Sequence, residues 1–318
     1  MQVMQFTAYG GPEKLRLTEI PAPIPDENQV LVRVHATSIN PIDWKLHNGM
    51  LRWVRRVQFP AIPCFDFAGE IAAVGPAVAG KPIGTRVFGM LPVGSQGAAA
   101  EYVTLPDTLL GQLPPTLDYL HAAGMPLAGM TALQAIRDDG GLQPDQTLLV
   151  VGASGGVGHY AVQIGKALGA SVTAVCSQRN ADFVRQLGAD EVLDYTSPAF
   201  QLPRTKFNVI LDAAVQRPIG FWLPALARQG TYVTLLPGIE LAWRRMLEIF
   251  GQPRVRFTLV RPCAADLALL ARLAERGNLK THIDQIFSLP ELGLALTQSQ
   301  GQRVRGKLIL AIDQRAPA

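Results

Sequence analysis

The pattern of apolar and polar residues changes character between the first third of the chain and the remainder. Up to about residue 120, short alternating segments are separated by proline and glycine, which is typical of short strands joined by tight turns. Close spacing of such strands predicts a β-barrel-like domain. The predicted strands are Val30–Ala36, Ala68–Gly75, Arg86–Gly89 and Ala99–Thr104.

After Pro114–Pro115, the pattern becomes helical from Leu117 to Arg137 and then alternates between apolar runs and helical periodicity. Four consecutive branched apolar residues at Leu148–Val151 fit a strand that is buried on both faces of a parallel sheet. Six strands with crossovers predict an α/β fold with a doubly wound parallel sheet of the Rossmann type. They are Leu148–Val151, Ser171–Val175, Glu191–Tyr195, Phe207–Asp212, Gly230–Leu235 and Val255–Val260.

Helical periodicity is also present at Ala181–Gly188, Leu241–Phe250 and Ala265–Arg276, and the tail from Ile286 reads as strand, helix and strand. The chain thus predicts a Rossmann domain that interrupts a β-rich one. We expect residues 1–120 with 265–318 in the β-rich domain and residues 121–264 in the Rossmann domain.

A glycine-rich turn follows the first of the six parallel strands. Gly152, Gly155 and Gly158 are spaced three apart between a buried strand and a helix, whose apolar residues predict one buried side. A dinucleotide pyrophosphate approaches the backbone closely at such a turn, where a Cβ would obstruct it, and the helix N-terminus attracts its charge. Because the glycine pattern lies between strand and helix, we interpret it as a nucleotide site.

The end of the second parallel strand indicates which nucleotide. NAD sites usually carry an acid there that binds the ribose 2′-hydroxyl, whereas this chain has Cys176–Asn180 and no acid before Asp182. Ser177 can donate to a 2′-phosphate and Arg179 can bind it bidentately. The pattern favours NADP(H), with Arg179 as a solvated surface charge as the alternative.

The same turn also contains G-x-S-x-G, the nucleophile-elbow pattern of serine hydrolases, across Gly152, Ser154 and Gly156. That interpretation requires a later acid and then a histidine, and His282 is the only histidine after His159. The third glycine and the second strand favour a phosphate site.

Composition narrows the class of protein. Hydrophobic residues make up 48% of 318, charged residues 17%, and the net charge is +4. We expect no nucleic-acid partner, because the densest basic spots, Arg244–Arg245 and Arg52 with Arg55–Arg56, are interpreted as solvated faces. We also expect no membrane span, because no apolar run approaches about 20 residues. Three scattered cysteines and the lack of a signal-peptide pattern predict a cytoplasmic protein.

Motifs along nearly the whole chain resemble the medium-chain dehydrogenase/reductase superfamily, and more narrowly its zinc-free quinone oxidoreductase (zeta-crystallin-like) branch. The resemblance implies a GroES-like catalytic domain, formed by the first segment and the tail, into which the Rossmann unit is inserted. The motifs are Gly10–Glu13, Ser38–Lys45, Asp66–Gly69, Gly84–Gly89, Leu127–Ala132, the glycine turn, Leu187–Asp190 and Val304–Lys307.

Zinc binding divides this superfamily into zinc-dependent and zinc-free branches. Zinc alcohol dehydrogenases hold the catalytic metal through Cys, His and Cys and a structural zinc through four cysteines. The first Cys position is Asn40 here and the His position is Phe65, and three scattered cysteines cannot supply a four-cysteine site. We expect no bound metal. Cys64 stands where the branch usually has glycine, and we expect a buried structural thiol.

The resemblance implies hydride transfer from NADPH to a quinone or an α,β-unsaturated carbonyl. The resemblance also implies that Asn40 and Lys45 are catalytic and that Asn40 lies beside the nicotinamide and the acceptor. The structural alternatives are a turn residue for Asn40 and an ion pair to Asp43 or Asp66 for Lys45. Further cofactor contacts are expected from Thr131 (otherwise a helix-interior threonine), Tyr195, Lys307 (otherwise a surface lysine), and the backbone N–H groups of Ser154, Gly155, Gly156 and Val157.

Two further possibilities stay open at this point: a catalytically silent NADPH-binding regulatory or interaction protein, and a zinc alcohol dehydrogenase. The resemblance also implies a homodimer that pairs through the last Rossmann strand, near Phe257–Val260.

Overall fold

The structure is a computed structural model that describes residues 1–247, 253–301 and 303–312. The chain divides into two units, one formed by Met1–Met130 with Arg261–Ala318 and the other by Thr131–Val260. The domain bounds proposed from the sequence stay a prediction. The predicted helix Leu241–Phe250 is described only as far as Leu247, so its last three residues lie outside the described part.

Fifteen strands are present among the described residues. In chain order they are β1 (Gln2–Phe6), β2 (Leu15–Glu19), β3 (Gln29–Ile39), β4 (Asp66–Val74), β5 (Arg86–Met90), β6 (Tyr102–Pro106), β7 (Leu110–Gln112), β8 (Thr147–Val151), β9 (Ser171–Cys176), β10 (Glu191–Asp194), β11 (Phe207–Asp212), β12 (Leu226–Thr234), β13 (Arg254–Phe257), β14 (Ile283–Ser288) and β15 (Lys307–Ala311).

The same residues form nine α-helices and several single turns of 3₁₀ helix. The α-helices are α1 (Pro41–His47), α2 (Tyr119–Ala123), α3 (Pro126–Leu133), α4 (Gly158–Ala167), α5 (Ala181–Gln186), α6 (Ile219–Trp222), α7 (Ile239–Leu247), α8 (Ala264–Glu275) and α9 (Leu292–Gln300).

The first unit is built on a seven-stranded sheet, with the β1–β2 hairpin beside it. The sheet order is β14-β15-β3-β4-β5-β7, and β6 also pairs with β3. Antiparallel pairing dominates, and only β14 and β15 run parallel. β3 is the central strand: its buried positions alternate at Val30, Val32 and Val34, as the sequence pattern predicts, and continue without interruption to Ile39.

The second unit is the predicted doubly wound sheet. Its six strands are all parallel in the order β10-β9-β8-β11-β12-β13, which is the Rossmann order 3-2-1-4-5-6. The fold class predicted from the sequence is therefore confirmed. Successive strands are added on one side of β8 as far as β10 and on its other side from β11 onward. Sheets of this kind bind ligands at this switch point between β8 and β11, beyond the carboxyl ends of their strands.

The helical stretch predicted over Leu117–Arg137 is interrupted in the structure. α2 ends at Ala123 with Gly124 as its C-cap, α3 begins at Pro126, and Gln134–Asp139 continue as a π-helical segment. Proline has no N–H to extend a helix but fits its first turn. The apolar periodicity continues through this break, so the pattern alone did not reveal it.

α4 also differs from expectation. We predicted one buried side, yet every residue from Gly158 to Gly165 is buried. Gly165 explains the close packing on one side, since a Cβ there would lie 2.6 Å from Leu148 Cδ2 and 3.0 Å from Val172 Cγ2. Glycine thus lets the helix approach β8 and β9 directly.

Candidate active site

The glycine-rich turn joins β8 to α4 in the second unit. The N–H groups of Gly152 and Ala153 both donate to the Val175 carbonyl, at 3.0 and 3.1 Å, which ties the turn to the neighbouring strand β9. Gly152 has φ of 77°, in the left-handed region that favours glycine. The chain therefore turns at the carboxyl edge of the sheet and enters α4 at Gly158.

The three glycines of the turn serve different purposes. A Cβ at Gly158 would lie 2.1 Å from the Gly152 carbonyl oxygen, and one at Gly152 would lie 3.0 Å from Ala214 Cβ. A Cβ at Gly155 would meet only the Gly152 oxygen, at an ordinary 3.4 Å. The argument that a side chain would obstruct a pyrophosphate thus applies to Gly155, whereas Gly152 and Gly158 are glycine because the turn itself requires it.

The backbone N–H groups of the turn are the predicted donors to a pyrophosphate. The N–H of Gly155 donates to the Gly152 carbonyl at 3.0 Å, so this predicted phosphate donor is already engaged. The N–H groups of Ser154, Gly156 and Val157 have no acceptor in the described part of the chain. Three such donors before an α-helix, beside an open space at Gly155, fit a pyrophosphate.

Asn180 connects the turn to the end of β9. Its side-chain Nδ2 donates to Ser154 Oγ at 3.0 Å and lies 3.4 Å from Ser177 Oγ. Asn180 was not predicted as a site residue, although it lies in the same short stretch as Ser177. The bond also bears on the hydrolase interpretation: the partner of the Ser154 hydroxyl is an amide, which cannot act as a base.

The predicted 2′-phosphate residues come together at the carboxyl ends of β9 and β10. Ser177 is buried directly after β9, and Arg179 is exposed on the 3₁₀ turn that follows. Tyr195 is exposed after β10, and its N–H donates to the Cys176 carbonyl at 3.1 Å. Residues that carry a hydroxyl, a guanidinium and a phenol therefore follow two adjacent strands at the same edge of the sheet.

An acid that the sequence analysis did not consider lies at this edge. Asp194 ends β10, opposite Cys176 in the parallel register. Its Oδ1 accepts bonds from the Thr196 hydroxyl at 2.6 Å and the Thr196 N–H at 2.9 Å, and these bonds lower the pKa of the carboxyl. Asp194 therefore places a negative charge at the carboxyl edge of the sheet, where a phosphate of the coenzyme would be repelled.

A buried polar cluster occupies the first unit where β3 passes into α1. Asn40 is the residue before α1 and is 2% exposed. Its Oδ1 accepts a bond from Lys307 Nζ at 2.6 Å, and its Nδ2 donates to Asp66 Oδ2 at 2.7 Å. Strand register explains the meeting of distant residues, because Leu308 pairs with Ile39 and Ala36 with Ala68.

Lys307 and Asp66 form the charged part of this cluster. Lys307 is 2% exposed, donates to the Ile39 carbonyl at 3.1 Å, and has its Nζ 4.0 Å from Asp66 Oδ2. Asp66 is fully buried and also accepts bonds from Ser38 Oγ at 2.5 Å and the Leu127 N–H at 2.7 Å. Burial lowers the pKa of Lys307 and raises that of Asp66, while each opposite charge counteracts the shift of its partner.

A second buried acid, Asp43, lies on the first turn of α1. Its Oδ2 accepts the Asn40 N–H at 2.7 Å, and its Oδ1 has no hydrogen-bond partner within the described residues. Burial raises the pKa of Asp43 from 3.8 to about 7, so its carboxyl carries a proton well above the usual range. Neither Asp43 nor Asp66 was selected from the sequence as a site residue, although an acid between Phe65 and Phe67 in an apolar strand is an available signal.

Family comparisons cover both units. Residues 26–115 match the alcohol dehydrogenase GroES-like domain and residues 187–310 match the zinc-binding dehydrogenase family. The chain is 36% identical over 322 residues to the chloroplast envelope quinone oxidoreductase homolog of Arabidopsis thaliana, covering 98% of each protein. It is 31% identical over 349 residues to human NAD(P)H oxidoreductase RTN4IP1, covering 96% of this chain and 87% of that protein.

Solved structures agree with these matches. The quinone oxidoreductase from Coxiella burnetii superposes with a TM-score of 0.89 at 31% identity, over 98% of this chain and 99% of that one. The chain belongs to the medium-chain dehydrogenase/reductase superfamily. It is therefore a member of a superfamily of nicotinamide-dependent oxidoreductases.

Some members of the superfamily bind zinc, and the residues here do not suit that metal. A cobalt- and zinc-bound alcohol dehydrogenase from Pyrobaculum aerophilum shares the fold at 28% identity, with a TM-score of 0.82 and coverage of 98% of this chain and 99% of that one. At the Cys and His positions this chain has Asn40, an amide bound to an ammonium and a carboxylate, and Phe65, a buried apolar ring. Zinc prefers thiolate, imidazole and carboxylate ligands. The zinc-binding family match covers 187–310 and thus excludes both positions.

Metal-ligand clusters of three or more His, Cys, Asp or Glu are absent from the described part of this superfamily member. Cys64, which precedes Phe65, is fully buried with φ of 68°, the left-handed conformation that explains why glycine is usual in the branch. Burial raises the pKa of the Cys64 thiol well above its usual value, so the sulfur stays protonated.

Lys45, Thr131 and Lys307 are the remaining residues that the sequence predicts for the site of this superfamily member. Lys45 is half-buried on α1 with its Nζ 5.4 Å from the Trp44 ring centroid, and burial lowers its pKa. Among the described ion pairs, none joins Lys45 to Asp43 or Asp66. Thr131 is buried in α3, in the second unit. Lys307 is a buried lysine rather than a surface one, so the surface alternative does not hold.

Proposed function

We propose that this chain is an NADP(H)-dependent oxidoreductase that reduces quinones or α,β-unsaturated carbonyls by hydride transfer without zinc. The observation that carries the proposal is the residue set at the end of β9. Ser177 and Arg179 follow β9, Tyr195 follows the neighbouring strand β10, and no acid occupies the position that binds a ribose 2′-hydroxyl in NAD sites.

The coenzyme would be held mainly by the second unit. The N–H groups of Ser154, Gly156 and Val157 bind the pyrophosphate, and the N-terminus of α4 adds its positive dipole end. Arg179 binds the 2′-phosphate bidentately, Ser177 donates a hydrogen bond to it, and Tyr195 packs beside it. When bound, a reduced nicotinamide supplies a hydride to an electrophilic acceptor.

The first unit would supply an oriented amide. Lys307 and Asp66 hold the two ends of the Asn40 side chain, so its orientation is fixed by charge-assisted hydrogen bonds. Its Nδ2 carries a second proton beyond the bond to Asp66, and we propose that this proton is donated to the nicotinamide or to the acceptor oxygen. Charge that develops on that oxygen is stabilised by such a fixed donor.

Proton supply and ring packing complete the proposal. Lys45 has a lowered pKa, which makes its ammonium a better acid, and we propose that it assists proton return to the reduced acceptor. Thr131 is proposed to pack beside the nicotinamide. Zinc is not needed for a polarised acceptor, since no alkoxide has to be stabilised by a Lewis acid.

The choice of acceptor class draws on relatives whose names state an activity. Quinone oxidoreductase is part of the names of the Arabidopsis relative and of the Coxiella structure, and the human relative is named an NAD(P)H oxidoreductase. A quinone shares with an enone the conjugated carbonyl that accepts a hydride. A small conjugated carbonyl compound is therefore the proposed substrate.

One observation favours a second candidate, a catalytically silent NADPH-binding regulatory or interaction protein. Asn40 and Lys307 are both 2% exposed and bonded to each other, as expected if the cluster only stabilises the fold. This candidate keeps the same coenzyme contacts and lacks turnover.

A turnover assay separates the two. NADPH and NADH absorbance are followed with 1,2-naphthoquinone and with a small enone, and coenzyme binding is measured on the same preparation by calorimetry. We expect NADPH oxidation that requires both protein and acceptor and is slower with NADH. Tight NADPH binding without oxidation by either acceptor class would favour the silent protein, and ester hydrolysis lost in Ser154→Ala would favour a hydrolase.

The cellular location and the oligomeric state are proposed from the cysteines and from the edge of the parallel sheet, respectively. We propose a cytoplasmic protein, because the three cysteines are unpaired thiols of a reducing compartment. Among the described helices, none is long and apolar enough to cross a membrane. We also propose a homodimer that pairs through β13, since this strand ends the described parallel sheet.

A further inference from the structure

An unusually apolar and basic loop follows α1 in the first unit. We name residues 49–57 the Trp53 loop. Met50, Trp53 and Val54 are 61%, 83% and 88% exposed, and they are among the large hydrophobic residues that the described chain leaves in solvent. Single exposed apolar residues are common, but three within five positions are not explained by chance scatter.

Charge in the same loop has one sign. Arg52, Arg55 and Arg56 are all exposed, and no acid is present in residues 49–57, so the loop carries +3 of a net charge of +4 for the chain. The Arg52 guanidinium lies 5.1 Å from the Trp53 ring centroid, and Arg55 lies over Gly94, where a Cβ would come within 2.0 Å of its Nε. One basic group thus lies over the exposed aromatic ring, and two more follow it within three residues.

The base of the loop is anchored while its tip is not covered. Leu51 packs against the core of the first unit, and its carbonyl accepts the N–H groups of Val54 and Arg55 at 2.9 and 2.8 Å. The Val57 N–H donates to the Tyr9 hydroxyl at 2.8 Å. The exposure of Trp53 and Val54 is therefore part of a hydrogen-bonded turn.

We propose that the Trp53 loop docks the protein on the surface of an anionic lipid bilayer. Tryptophan prefers the boundary between headgroups and acyl chains, where its ring is buried and its N–H stays solvated. Each arginine near an anionic surface adds about 1 kcal/mol of attraction, which is about fivefold in affinity. Exposed apolar residues that alternate with arginines along one turn match such a surface in both chemistry and charge.

A bilayer fits these residues better than a folded acidic partner. The exposed side chains lie on a hydrogen-bonded turn, and a fluid bilayer accepts exposed apolar side chains without a matching pocket. The docking does not depend on the oxidoreductase activity, so the two proposals can fail independently.

Vesicle flotation tests the docking. The full-length protein is mixed with vesicles of phosphatidylcholine alone or of phosphatidylcholine with phosphatidylglycerol, at low and high salt. We expect binding to the anionic vesicles at low salt, weakened at least about tenfold by high salt or by the neutral lipid. In addition, the tryptophan emission shifts to the blue on binding, and this shift is lost in Trp53→Phe.

Variants identify the loop as the contact. Trp53→Ser lowers the affinity for anionic vesicles about tenfold, and Arg55→Gln with Arg56→Gln lowers it about thirtyfold. Ile24→Ser is the matched control, because Ile24 is 87% exposed but is followed by Asp26 and Glu27. All these residues are exposed, so we expect the variants to stay folded, and circular dichroism checks this.

Three results would overturn the proposal. The wild-type protein could fail to bind anionic vesicles, or Ile24→Ser could lose as much binding as Trp53→Ser. Soluble polyglutamate could bind as tightly as the vesicles and displace the protein from them, which would identify an acidic protein surface as the partner.

Discussion

Arg179 is the residue on which the proposed preference for NADPH depends most directly. It is exposed beside buried Ser177, and Asp194 places an opposing charge at the same edge. Replacing Arg179 with alanine removes a bidentate partner of the 2′-phosphate. We expect Arg179→Ala to weaken NADPH binding about tenfold and to change NADH binding by less than about twofold, as measured by calorimetry.

The control for this prediction is Arg185→Ala. Arg185 is an exposed arginine on α5 that pairs with Asp182 at 2.8 Å. Its loss is expected to leave both coenzymes unaffected. An equal loss of NADPH and NADH binding in Arg179→Ala would show that this arginine does not recognise the phosphate.

The raised pKa of Asp43 predicts that the free energy of unfolding depends on pH. Burial raises its pKa from 3.8 in the unfolded chain to about 7 in the fold, so the folded state binds this proton more tightly. Stability contributed by the protonated form is complete below about pH 4 and is lost as the pH rises through about 7, with a slope of at most about 1.4 kcal/mol per pH unit.

Asn at position 43 removes this titration but keeps an oxygen for the Asn40 N–H. Urea unfolding of the wild type and Asp43→Asn at several pH values from about 4 to 8 isolates the effect. We expect the wild type to lose stability relative to the variant as the pH rises. A difference between the two proteins that does not depend on pH would show that Asp43 titrates normally.

At the scale of elements, the strand–turn–helix unit separates what the fold needs from what the coenzyme needs. A Cβ at Gly158 would lie 2.1 Å from the Gly152 oxygen, while one at Gly155 meets nothing closer than 3.4 Å. Gly158→Ala is therefore expected to destabilise the protein by about 2 kcal/mol or more, which lowers Tm by about 4 °C or more.

Gly155→Ala, three residues earlier in the turn, is expected to affect NADPH binding rather than stability. We expect Tm of the free protein to change by less than about 1 °C, and NADPH binding to weaken about tenfold or more because the methyl group enters the space for the pyrophosphate. Thermal unfolding and calorimetry on both variants check the pair. Unchanged NADPH binding in a folded Gly155→Ala protein would contradict the assignment of the turn.

Element-level predictions from the sequence succeeded where the apolar pattern was long and periodic. All six parallel strands were found near their predicted positions. The apolar runs of β8 and β11 are almost wholly buried, as expected of strands covered on both faces, whereas β10 is only partly buried. The break at Pro126 was missed, because the apolar periodicity of Leu117–Arg137 continues across it. The separate tasks of Gly152, Gly155 and Gly158 were also hidden, since sequence spacing does not show which neighbour a Cβ would meet.

Site residues were predictable to the extent that they follow one another in sequence. Ser177 and Arg179 could be found because they come directly after a predicted strand. The meeting of Asn40, Asp66 and Lys307 depends on the register of three strands, which no local pattern specifies. Asp194 was overlooked because it ends the neighbouring strand, and Asn180 because an asparagine in a short loop resembles an ordinary turn residue.

At the scale of the whole molecule, β13 provides the test of assembly. It ends the described parallel sheet, and Leu259 beyond it is an exposed large apolar residue. If two copies pair through this edge, light scattering after size exclusion gives twice the chain mass of 34.3 kDa. We expect Leu259→Lys to shift the protein toward monomer at micromolar concentration.

Leu294→Lys serves as the control for assembly. Leu294 is likewise an exposed leucine but lies on α9 in the first unit. It should leave the mass unchanged. A wild-type monomer, or equal dissociation by both variants, would exclude pairing through β13.

We propose that a nicotinamide-dependent fold with Asn40 and Phe65 at the positions of zinc ligands reduces a conjugated carbonyl without a metal. The most direct measurement is NADPH oxidation by 1,2-naphthoquinone with protein dialysed against a strong chelator, with metal content determined on the same sample by mass spectrometry. We predict full activity in a sample that holds far less than one metal ion per chain. Activity that disappears on chelation and returns with added zinc would contradict the account, as would a folded, NADPH-binding protein with no turnover.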